Sequence, residues 1–188
     1  KKIIGLFLLI WAIGSAQVSA QSETNRLDSI MPVRGLAIAA PSAQKLDLFL
    51  KFVQEELAPS HFNLLILRVR DPTPLTREDV KKIVKVCRDN GIRIAPQINL
   101  LGHQSWAETT YALLREYPEF DETPHVDTKN YTGWPNSDGL YCKSYCPLHP
   151  EVHKIVFALV DELTDVFETQ LFHAGMDEVF YIGHDSCV

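Results

Sequence analysis

No long basic run, no phosphate loop and few cysteines mark this sequence, and each scarcity removes a class of function. Lys and Arg number 18 against 24 acids, a formal net charge of -6. That balance gives no footprint for nucleic acid. No G-x-G-x-x-G follows the first strand-like run, which argues against the nucleotide-binding α/β folds. The apolar stretch at residues 3–13 is shorter than the roughly 20 residues a membrane span needs. Cysteine occurs only at 87, 142, 146 and 187.

What is present begins with an export pattern. Lys1 and Lys2 precede the apolar stretch, and Val18, Ser19 and Ala20 supply small residues before Gln21. This predicts a cleaved secretory signal over 1–20, followed by a polar leader over 21–32. No cysteine follows the cleavage point, so a lipid anchor is not expected there. Export permits disulfides, and four cysteines allow three pairings. Cys142, Cys146, His149 and His153 can also be drawn as a loose zinc set. Local loop structure or a disulfide is the plainer reading. The sequon Asn130-Tyr131-Thr132 suits an exposed loop.

The rest of the chain alternates strand and helix signals. Residues 33–40 form an apolar run, as expected of a strand covered on both faces. Leu46, Phe49, Leu50, Val53 and Leu57 then recur at helical spacing over 43–57, and Pro59 stops the helix. Residues 62–69 predict a second strand. Thr76 with Asp79 forms a capping box for a helix reaching Asn90, which Gly91 ends. A third strand is predicted over 92–98 and a short helix over 106–117. Residues 118–150 read as a long loop, far above the usual 2–6 residues, and such loops are often functional. An amphipathic helix over 151–168 and a fourth strand over 171–175 follow. The order βαβαβαβ requires a largely parallel sheet with helical crossovers. A doubly wound sheet and a (β/α)8 barrel share that order. Polar groups gathered at the C-terminal strand ends favour the barrel.

Those groups are His173, Asp177 and Glu178 after strand four, and His103 after strand three. Adjacent carboxylates oppose each other's ionisation, so one can keep a proton for general-acid work while the other stays charged. His103 can order the pair through hydrogen bonds. Arg34, at the opening of strand one, is suited to binding hydroxyl groups.

The segment HAGMDE (173–178) resembles the H-x-G-G-D-E signature of family 20 glycoside hydrolases, the β-N-acetylhexosaminidases, with Met176 in place of the second glycine. IAPQINLLGH (94–103) resembles that family's strand-three segment, with Gln97 where Glu is common. VRG around Arg34, YPEF (117–120) and CPLHPEV (146–152) are similar to further stretches of the same domain. The likeness runs in order through nearly all of the mature chain.

The resemblance implies the (β/α)8 barrel, represented over residues 33–188 by roughly its first four β/α units. It also implies retaining hydrolysis of terminal β-linked N-acetylglucosamine or N-acetylgalactosamine, with no metal or organic cofactor. Glu178 is then the general acid and base, and Asp177 orients the 2-acetamido group that attacks the anomeric carbon. Arg34, His103 and His173 are the expected substrate-binding and supporting residues. The partner is an N-acetylated glycan, met outside the cytoplasm. Four further β/α units are expected to complete such a barrel, so a fragment of this length is expected to be poorly active. Two other readings stay open: a glycan-binding pocket without turnover, and a barrel glycosidase whose nucleophilic carboxylate comes from the remaining units.

Overall fold

Three five-residue runs dense in Leu, Ile and Ala form parallel strands: β1 (Gly35–Ala39), β2 (Leu64–Arg68) and β3 (Arg93–Gln97). The computed structural model describes residues 26–70, 75–106, 109–126 and 142–183. The expected signal (1–20), the 71–74 turn and the sequon lie outside these. The strands run in chain order, β1-β2-β3. Gly35 pairs with Leu64 and Leu64 with Arg93; four residues on, Ala39 pairs with Arg68 and Arg68 with Gln97. A fourth segment joins the far edge of β3 by a parallel bridge between Gln97 and His173. Each new element thus adds beside the one before it. That is the winding of a barrel; a doubly wound sheet reverses direction at a switch point. The described strands do not themselves close into a barrel.

Among the described residues, the helices pack on the face of the sheet that carries Leu65 and Leu67. After β1 a 3-10 turn (Ala43–Lys45) leads into α1 (Leu46–Phe52), which ends in a π-helical turn (Val53–Leu57). Leu46, Phe49, Val53 and Leu57 are buried there. α2 (Arg77–Asp89) follows β2, and α4 (Val152–Val166) precedes the fourth segment, with α3 (Ala112–Glu116) between β3 and α4. Leu65 and Leu67 of β2 are fully buried against Val80, Ile83 and Val84 of α2, within one core cluster that reaches Val152, Val156 and Phe167. Burial of this kind contributes about 25 cal/mol per Å² of apolar surface. Among the described residues, no helix is long and apolar enough to cross a membrane.

The capping box at α2 forms as the sequence predicts. The Asp79 N–H donates to Thr76 Oγ1 at 3.2 Å, while Asp79 Oδ2 accepts from the Thr76 N–H at 3.1 Å. The Thr76 hydroxyl, which donates to Asp79 Oδ2 at 2.8 Å, and then the Thr76 N–H hold the Asp79 carboxyl below its ordinary range. Gly91, at φ +68°, closes the helix in the left-handed conformation that lets the chain turn into β3.

Three expectations need correction. β1 is not covered on both faces: Leu36 and Ile38 are half-buried, whereas Gly35, Ala37 and Ala39 are exposed. Alanine scores as apolar but is small enough to leave a face open. The helix expected over 106–117 is shorter. Ser105–Trp106 and Thr109–Thr110 pair as the antiparallel strands β4 and β5 before α3 begins. The Tyr111 N–H bonds to the Gln104 carbonyl, and Ser105 Oγ accepts from the Lys143 N–H, so neighbouring segments, rather than helical turns, satisfy this backbone. Residues 171–175 make a bridge, not a strand, because Gly175 at φ +56° turns the chain away two residues later.

Thr76→Ala is expected to cost about 1 kcal/mol. Hydrogen exchange of the amides in the first turn of α2 should quicken about 5-fold. An unchanged rate would show that the box contributes nothing.

Candidate active site

Residues at the same level of a parallel sheet share a face, so Ala39, Arg68, Gln97 and His173 stand side by side on the open face at its C-terminal edge. From that edge two loops leave, 98–104 after β3 and 174–178 after the bridge. The Leu100 N–H bonds to the Ala174 carbonyl at 2.9 Å and starts their docking. Two glycines complete it. A Cβ on Gly102 would lie 2.8 Å from the Asp177 carbonyl oxygen and 3.3 Å from that of Glu178. A Cβ on Gly175 would lie 2.7 Å from the Ile98 carbonyl oxygen. Real Cβ atoms do not approach so closely, so each loop has glycine where the other's backbone passes.

This contact brings His103 to the acidic pair. Its Nε2 is 3.3 Å from Glu178 Oε2 and 3.6 Å from Asp177 Oδ2. The imidazole is largely buried, at 16% exposure, while both carboxylates are more than half exposed. A fixed donor therefore faces two solvent-accessible acids. Leu101, His103 and Glu178 all have positive φ, three of the five such non-glycine residues among those described. Each left-handed residue costs about 1–2 kcal/mol. Their clustering marks a place held by its surroundings, as functional sites often are.

The surroundings are residues 142–145. Cys142 Sγ lies 3.7 Å from the Glu178 carbonyl oxygen. Burial pushes its thiol up, a backbone hydrogen bond from His103 pulls the other way, and the charges of Glu178 and Asp177 push it up again. The Lys143 carbonyl accepts from the Gln104 N–H, Ser144 Oγ donates to the Tyr181 carbonyl, and the Tyr145 N–H donates to the Leu101 carbonyl. Lys143 Nζ is buried against Asp121 at 2.5 Å and also donates to the Thr123 carbonyl.

Of the residues expected in the site, Asp177, Glu178 and His103 come together. His173 is on the same open face one loop away, with Nδ1 accepting from the Gly175 N–H at 3.1 Å. In the neutral ring that leaves Nε2 as the donor, facing outward on an exposed residue. Arg34 is not brought to the rim. It precedes the first residue of β1, at the opposite end of the sheet. There it donates to the His61 and Met31 carbonyls and to Asp28 Oδ1, with 11% of its side chain exposed. Its donors go to these neighbours, so the structure does not bring it to the acidic pair.

The zinc set does not assemble either. Cys146 is in a disulfide, Cys142 is a free thiol, and the His149 ring packs on Phe120 at 4.7 Å. A Cys142–Cys146 bond is likewise excluded. Among the described residues no cluster of ligating side chains could hold a metal.

Sequence reasoning missed Arg68, which ends β2, and Arg70, two residues past it, which line a groove of about 520 Å³ with Asn99, His103, Gln104 and Tyr111. The signal was present as the charged-apolar-charged alternation Arg68-Val69-Arg70, where Val69 is buried and the arginines are exposed.

A family model described as glycosyl hydrolase family 20, catalytic domain, matches residues 54–187, well over half of the chain. Arg34 and β1 lie outside that span. The chain is 35% identical over 103 residues to a beta-hexosaminidase of Akkermansia muciniphila, covering 55% of this chain and 19% of that protein. It is 35% identical over 104 residues to a lacto-N-biosidase of Bifidobacterium bifidum, covering 55% and 8%. Among solved structures, the chitobiase of Flavobacterium johnsoniae superposes with a TM-score of 0.57 at 25% identity, covering 78% of this chain and 24% of that one. The chain therefore spans less than a quarter of each of these relatives.

Gly102→Ala should force the two loops apart. Labelling of the Cys142 thiol in the full-length protein, mapped by peptide, is expected to accelerate. Cys87, buried and pushed up to about 12, should stay unreactive as the internal reference. A further sign is a loss of about 1–3 kcal/mol in stability. Unchanged labelling together with unchanged stability would mean that the close approach does not hold the site.

Proposed function

The chain belongs to glycosyl hydrolase family 20, and on that premise we propose that its rim hydrolyses terminal β-linked N-acetylhexosaminides with retention, through participation of the substrate's own 2-acetamido group. The observation that carries this reading is one imidazole nitrogen within 3.6 Å of two adjacent carboxylates on an exposed strand-end loop. A retaining enzyme with its own nucleophile needs two carboxyls about 5 Å apart that flank the scissile bond. Asp177 and Glu178 are consecutive on one loop and approach from one side, which supports an internal nucleophile. A hexosaminidase name among the relatives supports the same substrate class.

In the first step Glu178 gives its proton to the glycosidic oxygen. The acetamido oxygen bonds to C1 as the C1–oxygen bond to the leaving group breaks, giving an oxazolinium-like intermediate. Asp177 orients the acetamido group and stabilises the charge on its nitrogen. In the second step the Glu178 carboxylate takes a proton from water, and that oxygen bonds to C1 as the acetamido oxygen leaves. The configuration at C1 is thus retained. His103 positions both carboxylates from behind, and the outward Nε2 of His173 is placed to meet a sugar hydroxyl. The amino-terminal pattern of residues 1–20 supports action after export.

Glu178→Gln in the full-length protein should lower kcat about 10²- to 10⁴-fold on a substrate with a poor leaving group, and less on one with an activated leaving group. A chromogenic β-N-acetylglucosaminide should be turned over while the matching β-glucoside is not. Comparable hydrolysis of the two would rule out acetamido participation and require a separate carboxylate nucleophile.

A further inference from the structure

We propose that the groove beside the acidic pair takes an anionic substituent, a sulfate ester or a carboxylate carried by the N-acetylated sugar, and that Arg68 and Arg70 bind it. The proposal rests on the hydrolase reading above and deepens it.

The two arginines are two residues apart at the end of β2. Arg68 ends β2 on the open face, Val69 is buried behind it, and Arg70, two residues on, is exposed at the rim, where it also borders the first helix. Their Cα atoms are therefore about 6.5 Å apart. Arg68 sits at the level of Gln97 and His173, so its guanidinium shares the catalytic face. One groove of about 520 Å³ runs past Arg68 and Arg70 to His103, whose ring touches both carboxylates. That volume is within the usual range of small-molecule sites, about 300–1,000 Å³.

Charge gives the groove a direction. Arg34, Arg77 and Arg88 each pair with an acid. Arg68 and Arg70 make no ion pair or side-chain hydrogen bond with any described residue, although acids outnumber bases in this protein. Two neighbouring guanidiniums that border one groove, neither paired with a described residue, are suited to planar, multi-oxygen anions. Past His103, which lines the groove, stand Asp177 and Glu178, and these repel negative charge. An anionic sugar therefore enters with its substituent toward β2 and its acetamido group toward the acids. Asn99 and Gln104, neutral and polar, line the groove without reversing either charge.

The test uses the full-length protein and three chromogenic β-glycosides: of N-acetylglucosamine, of its 6-O-sulfate, and of N-acetylmuramic acid, which carries a carboxylate at O3. The readout is kcat/KM for each anionic sugar relative to the neutral one. A charge-assisted pair corresponds to about 10-fold or more in that ratio. The expected result is a ratio above 10 for one of the two, which identifies sulfate or carboxylate as the source. It should fall toward one in Arg68→Ala or Arg70→Ala, be partly restored in Arg68→Lys, and decline with added salt. Turnover of the neutral sugar with no preference for either anion, or a preference that survives both alanine variants, overturns the anion site and leaves the hydrolase reading standing. Should no glycoside be cleaved, the hydrolase reading fails by itself. Calorimetric binding of the free sugars then decides the groove: tighter binding of an anionic sugar that is lost in Arg68→Ala upholds it, and equal binding overturns it.

Discussion

Backbone packed against backbone, with no room for a Cβ, is the constraint on which the site depends. Gly102 passes under the carbonyls of Asp177 and Glu178, and Gly175 passes under that of Ile98. The two glycines are reciprocal, one in each strand-end loop. Replace either and the loops must part by several tenths of an ångström. His103 follows Gly102 directly, so its distance to the carboxylates is set by that contact and not by its own side chain. The arrangement is strained, since Leu101, His103 and Glu178 are all left-handed. Something beyond the two loops has to hold them.

Residues 142–145 supply the hold, one bond at a time. Cys142 meets the Glu178 carbonyl, Lys143 meets Gln104 and Ser105, Ser144 meets Glu122 and Tyr181, and Tyr145 meets Leu101. One four-residue run thus ties the loop after β3 to the loop that carries the acids. Its own anchor is the buried ion pair of Lys143 with Asp121, with a second bond to the Thr123 carbonyl. A buried charge is tolerable only when its neighbours satisfy it. Among the described residues no buried side-chain nitrogen or oxygen lacks a partner. Buried and fully satisfied networks of this sort rigidify what they touch. The part of the sequence that reads as the least regular is therefore the part that fixes the loops of His103 and the two carboxylates in place.

Local signals were legible in the sequence and long-range ones were not. The capping box at Thr76 and Asp79, the left-handed Gly91 and the helical spacing of Leu46, Phe49, Val53 and Leu57 each depend on neighbours within about four residues. So does the motif that places Asp177 and Glu178 after a short extended run. The fourth strand was overstated because the periodicity of 171–175 says nothing of how Gly175 turns. The 106–117 helix was overstated because its first residues pair as the β4–β5 hairpin and the Tyr111 N–H bonds back to the Gln104 carbonyl, partners that helical spacing does not reveal. The strap at 142–145 carries no periodic pattern at all. Its role exists only once the loops after β3 and after His173 are neighbours.

Arg34 and Arg68 show why residue type alone cannot assign a role. Both flank a strand of the same parallel sheet, one before β1 and the other closing β2. A parallel sheet has two unlike ends. At the N-terminal end the chain arrives from turns rich in free carbonyls, and Arg34 satisfies three of its donors on Asp28, Met31 and His61. At the C-terminal end the strands of this sheet deliver a cation, an amide and an imidazole at one level, Arg68, Gln97 and His173, with the carboxylates four and five residues past His173. Small residues on β1, Gly35, Ala37 and Ala39, keep that face open. The sheet thus sorts identical chemistry by position: the same guanidinium is structural at one end and available at the other. The groove that Arg68 and Arg70 border reaches His103, and the acids stand just past that ring, so the field along it runs from positive to negative.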